Sequence, residues 1–130
     1  MSLEKAIELH KTQIPENRLK AFEIFKEIDA NYWLGYYHQY GYANLKIDEN
    51  KACDYYKLAT DENNADATYR LASFELKKIA TINDDYKKNY CSYVTSLFKK
   101  AADLNHLEAC YQYGDILVNG KLRNKKDIET

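Results

Sequence analysis

The chain has 130 residues, the length of one domain, and 19 basic residues against 20 acidic ones. That near-zero balance argues against attraction to nucleic acid or to an anionic membrane through bulk charge. One proline and four glycines suit a helical chain and exclude a turn-rich β fold.

The spacing predicts a first helix over residues 2–12, capped by Ser2, with Leu3, Ala6, Ile7 and His10 on one face. Pro15 predicts a break over 14–17, because a proline disfavours helix at the residue before it. A second helix follows over 18–28 with Leu19, Phe22 and Phe25 beside Ala21, Ile24 and Ile28. The third, over 30–40, stops at Gly41, and Asp48 caps a fourth over 50–60. Residues 61–64 form a turn, and a fifth helix covers 65–79. After a loop at 81–85, a sixth helix begins at Asp85 or Tyr90 and ends at Leu104, with Asn105 as its stop. A last helix over 107–118 ends at Asn119 and Gly120, before a polar tail at 121–130 that is expected to fray.

Two helix types alternate in register. First helices align as Ala30-x-Tyr32-x-Leu34-Gly35, Ala67-x-Tyr69-x-Leu71-Ala72 and Ala109-x-Tyr111-x-Tyr113-Gly114, at offsets of 37 and 42. Second helices align as Lys20-Ala21-x-x-Ile24-Phe25-Lys26, Lys51-Ala52-x-x-Tyr55-Tyr56-Lys57 and Tyr93-Val94-x-x-Leu97-Phe98-Lys99. Small residues on the first type let helices approach closely, and the bulky pair on the second fills the space between neighbours. A single pair cannot bury its own apolar face, so pairs must stack into an α-solenoid.

These residues resemble Sel1-like repeats, relatives of tetratricopeptide repeats. Ala30, Leu34, Gly35, Gly41, Asp48, Lys51, Ala52, Tyr56 and Ala59 match that pattern, with Tyr55 in place of its tryptophan. Lys100, Ala101 and Ala102 match the close of a unit, and Ala109, Gly114 and Gly120 restart it. His38, Ala43 and Asn44 depart from the pattern, as do Ala72, Lys78 and an insertion near 83–89. The resemblance implies an all-α, right-handed superhelical solenoid of about seven helices. It is expected to form one domain over 1–120, with units at about 30–64 and 65–106 and partial units at 1–29 and 107–120. It also implies a non-catalytic adaptor or scaffold that grips a protein or peptide on its concave face.

In the repeat register that face includes Trp33, Arg70 and Gln112, then Tyr36 or Tyr37, then Tyr40 and Lys77. Trp33 with its tyrosines would make a rigid partner anchor; core filling in an atypical terminal unit is the other reading. Most of the 13 tyrosines read as packing between helices. Tyr32, Tyr55 and Tyr56 recur as bulky residues and belong to the fold. The lysine pairs at 87–88 and 99–100 read as solvated faces.

The three cysteines are odd in number and form no C-x-x-C pair. They point to a reduced, intracellular and cytoplasmic setting. Cys53 and Cys110 read as buried small hydrophobes, and Cys91 as a candidate for exposure. No membrane span or leader is visible. No His or Cys spacing predicts a metal site, and no catalytic residue or cofactor is implied. Two alternatives stay open: a cysteine-dependent or β-lactamase-like enzyme, and a nucleic-acid-binding helical repeat. Against the first, cysteine-rich relatives assigned penicillin binding carry paired cysteines in every unit, and this chain does not. Ile116, Leu117 and Leu122 on and after the last helix have no expected cover within the chain. Either the tail folds over them or another chain does, which raises the expectation of a homodimer through the C-terminal helix or of continuation into a longer array.

Overall fold

The computed structural model describes residues 2–119. They form seven α-helices and one 3-10 turn, with no strand among the described residues. The helices are α1 (Leu3–Lys11), α2 (Pro15–Glu27), α3 (Asn31–Tyr40), α4 (Glu49–Asp61), α5 (Ala65–Lys78), α6 (Asp84–Asp103) and α7 (Leu107–Asn119). The all-helical class and the helix count match expectation. The expected stop at Gly120, Leu122 and the tail lie outside the described residues.

Local chemistry explains the boundaries. The Ser2 hydroxyl accepts the Lys5 backbone N–H, Asp48 accepts that of Lys51, and Asn64 accepts that of Ala67. Each contact satisfies one of the donors a helix start leaves open. Gly41 ends α3 at φ 71°, and Asn63 and Asn105 take φ 63° and 69° after α4 and α6. These residues reach the left-handed region at least cost. Two boundaries differ from expectation. The break expected over 14–17 lies at 12–14, and Pro15 opens α2, since the first helical position needs no N–H. Asn83 starts α6 at Asp84, because its side chain accepts the Asp85 N–H.

The helices divide into two compact units, one running to Ala59 and the other starting at Thr60. In the first, Ala6, Ala21, Ile24, Phe25, Leu34 and Tyr37 form the core. Burying a large apolar side chain is worth about 1.5–3 kcal/mol, so Phe25 and Tyr37, both fully buried, carry much of it. On α4, Ala52 and Tyr56 are also fully buried. Gly35 of α3 lets Tyr56 in: a Cβ there would lie 2.7 Å from the Tyr56 ring and 3.2 Å from the Ala52 carbonyl oxygen. This is the close approach that the small-residue register predicts.

In the second unit α6 packs against both α5 and α7. Its buried residues include Ala67, Leu71, Ala72, Phe74, Val94, Leu97, Phe98, Ala101, Ala109 and Ile116. Polar groups inside this unit are matched. Thr68 donates to the Thr60 hydroxyl at 3.3 Å, and the Lys100 ammonium donates to the Thr60 carbonyl at 2.9 Å. The buried Glu75 carboxylate accepts from Lys78 and from the Tyr90 hydroxyl. Ile116, expected to lack cover, is buried. It lies on the opposite side of α7 from the exposed Leu117 and Val118, so the helix has one covered and one open face.

Candidate functional site

The α3 sequence places aromatic residues at 32, 33, 36, 37 and 40, which together cover a sector of roughly 140° on one side of a helix. Burial sorts them. Tyr37 points inward and is fully buried, Trp33 and Tyr36 are half-buried, and Tyr40 is 44% exposed. Trp33 stacks on Phe25 with ring centroids 5.3 Å apart and planes 3° from parallel. Tyr36 meets Trp33 at 5.5 Å, Tyr40 at 4.7 Å and Tyr42 at 6.0 Å. The result is a continuous aromatic surface whose inner edge belongs to the core and whose outer edge is Tyr36, Tyr40 and Tyr42. Offset and edge-to-face pairs of this kind add about 0.5–1.5 kcal/mol each beyond burial, so the surface is rigid.

His10 of α1 sits behind it. Its ring lies 5.2–5.7 Å from those of Trp33, Tyr36, Tyr37 and Tyr42. Its Nδ1 is hydrogen-bonded to the Tyr37 hydroxyl at 2.9 Å. Burial, and then the nearby Arg18 charge, pull the His10 pKa below 6.5, so the ring is neutral at pH 7. Burial is also the main cause that pushes Tyr37 up to about 12, which keeps its hydroxyl protonated. Arg18 of α2 lays its guanidinium carbon 4.0 Å from the centre of the Tyr42 ring, a cation–π contact. The Arg18 Nε is buried with no hydrogen-bond partner.

The structure therefore brings Trp33, Tyr36, Tyr37 and Tyr40 into one cluster in the first unit. Tyr37 contributes no surface to it. The other three predicted residues belong to the second unit. The Arg70 Nε donates to Asp66 at 2.6 Å. Asp66 also receives the His106 Nε2 at 2.9 Å, and His106 stacks on Tyr69 at 4.5 Å. Lys77 is exposed, with its ammonium 5.2 Å from the centre of the Phe74 ring, and Gln112 is half-buried.

Sequence reasoning missed His10, Arg18 and Tyr42 as members of the cluster. For His10 the signal was present, because it completes the helical face of Leu3, Ala6 and Ile7. Arg18 and Tyr42 gave none, since their meeting depends on how α2 and the turn after α3 fold back.

The cysteines separate by burial. Cys53 is buried as expected, Cys91 is half-buried and Cys110 is exposed. The expectation of a buried Cys110 fails because it lies on the open face of α7. Burial raises the Cys91 pKa, so the group stays a thiol instead of the thiolate that a nucleophile needs. Among the described residues no group of three His, Cys, Asp or Glu side chains could hold a metal. No helix among them is long and apolar enough to cross a membrane.

Paired helices in register, small residues at their contacts and an aromatic face on a first helix define a helical-repeat protein. The Sel1 repeat family model matches residues 28–64, 96–106 and 107–129, together more than half of the chain. The chain belongs to the Sel1 repeat family. These repeats are tetratricopeptide-like helical solenoids that generally mediate protein–protein interaction. Comparison with curated proteins and with solved structures gives no match.

Proposed function

We propose that the chain is a non-catalytic adaptor that binds a protein segment on the aromatic face of its first unit. The observation that carries this reading is the outer edge of the cluster, Tyr36, Tyr40 and Tyr42, held against Trp33 and His10. Rigid tyrosines lose little side-chain entropy on binding and offer both apolar area and a hydroxyl. Arg18 on Tyr42 adds a positive charge at the rim, so a segment that pairs an apolar side chain with an acidic one fits best. Arg70, Lys77 and Gln112 are proposed, from the repeat register alone, as binding residues of the second unit.

Trp33 is the chain's single tryptophan, so its emission reports occupancy of this surface. Peptides selected for binding to the wild-type chain should shift Trp33 fluorescence. They should bind the Tyr36→Ala, Tyr40→Ala double variant at least about thirtyfold more weakly, the loss expected on removing a central anchor. Equal affinity for both proteins would place the binding site elsewhere.

A further inference from the structure

One cation of the first unit has no counter-charge. Arg18, near the start of α2, lays its guanidinium carbon 4.0 Å from the centre of the Tyr42 ring. Its Nε is buried and donates to no acceptor. Its two terminal nitrogens make no hydrogen bond or ion pair among the described residues, and they are not buried. The other described arginine, Arg70, is held by Asp66 at 2.6 Å. Every carboxylate of the first unit is described, and none pairs with Arg18; Glu23 holds Lys26, and Asp48 caps α4. The bare charge reaches its neighbours. Burial and then Arg18 lower the His10 pKa, and at Tyr37 the same charge works against burial, while no carboxylate acts on either group.

A guanidinium can offer a carboxylate two parallel N–H···O bonds, side-on through Nε or end-on through the two terminal nitrogens. Burial of Nε closes the side-on approach and leaves the end-on one. The Tyr42 ring holds the guanidinium in place. That ring also meets those of Tyr36 at 6.0 Å and Tyr40 at 5.8 Å, so the charged fork and the tyrosine edge adjoin.

We propose, on the reading of this face as a binding surface for a protein segment, that Arg18 sets its specificity by taking the side-chain carboxylate of an Asp or Glu end-on. The acid then lies beside the apolar side chain that covers Tyr36 and Tyr40. A segment that crosses the face brings acidic side chains to the fork, with its backbone continuing in both directions. A phosphate group, with more charge and three acceptor oxygens, suits a cluster of donors, and this site offers a single guanidinium with one edge closed. The chain's own residues 121–130 have the wrong sign, with Lys121, Arg123, Lys125 and Lys126 against Asp127 and Glu129.

The probes are peptides selected on the full chain from a random library with acetylated and amidated ends, so that every carboxylate belongs to a side chain. An acidic residue should recur at one position. Its replacement by the matching amide should weaken binding to the wild-type chain at least about tenfold, as expected for a charge-assisted pair. Arg18→Gln should bind the acidic peptide about tenfold more weakly than the wild-type chain does, and the amide peptide equally well. In the wild-type chain the Arg18 Nε–H resonance should shift with the acidic peptide and stay in place with the amide one, a readout that needs no variant. Equal affinity of the two peptides, or selected peptides without a recurring acid, overturns the assignment. Tighter binding of phosphoserine at the acidic position also overturns it and gives the fork to phosphate. A change in the Trp33 emission of the free chain on Asp127→Asn, Glu129→Gln gives the fork to the chain's own tail. Peptides that need Tyr36 and Tyr40 but not Arg18 overturn this assignment alone; peptides that need none of the three overturn the binding face with it.

Discussion

Gly35 and Gly114 hold one position in the repeat and meet opposite surroundings. The first is enclosed by an aromatic ring and a backbone carbonyl, and among the described residues nothing lies within 4 Å of a Cβ on the second. The same residue in the same register is thus a packing requirement in α3 and, among the described residues, has no such neighbour in α7. A glycine in a repeat marks where another helix can approach. Whether one does is decided by what the rest of the chain supplies.

The largest test of the contrast is removal of the side chain that fills the α3 notch. Tyr56→Ala should destabilise the protein by about 3–5 kcal/mol, the usual cost of emptying a fully buried aromatic site, read from urea unfolding. A loss under about 1 kcal/mol would mean that α4 does not hold α3 through this ring. Next comes the pair of glycines. Gly35→Ala should lower stability by roughly 1–2 kcal/mol, because a buried ring and a carbonyl must move to admit the methyl group. Gly114→Ala should raise it by up to about 1 kcal/mol through helix propensity alone. Effects of the same sign would erase the distinction between the two faces.

A smaller effect is expected from Tyr56→Phe, which keeps the ring and removes only the hydrogen bond to Gln39. About 1 kcal/mol is the typical value of such a bond. On the open face the corresponding change, Tyr111→Phe, should move stability by less than about 0.5 kcal/mol, as for most surface substitutions.

The last test is pH. The folded-state pKa of His10 lies below 6.5, chiefly because the ring is buried. The unfolded chain therefore binds the proton more readily. The His10 contribution is fully present above pH 6.5, declines as the pH drops below that value, and levels off beneath the folded pKa. His38, also lowered by burial, acts in the same direction. His10→Gln should flatten part of the decline measured between pH 7 and pH 5, and His106→Gln serves as the comparison in the second unit.

Much of the fold was legible in the sequence. Caps at Ser2 and Asp48 and stops at Gly41 and Asn105 are local interactions, written in neighbouring residues. The alternation of two helix types was legible because the same residue sizes recur at the same repeat positions along the chain. The candidate site was legible only as a set of aromatic residues that the repeat does not require. Helical periodicity could not separate Tyr36 from Tyr37, because adjacent positions are only about 100° apart on a helix and either could face the core. Packing by Phe22, Phe25 and His10 decided it.

The sequence by itself determined the helices, their register and the small residues at their contacts, since these follow from local propensity and from sizes repeated along the chain. Only the tertiary structure decided which notches are filled. It placed His10, Arg18 and Tyr42 around one aromatic surface, buried Ile116, exposed Cys110 and brought no described residue against Gly114. Those outcomes depend on contacts between residues far apart in sequence, and no local pattern encodes which of two equivalent faces another helix will cover.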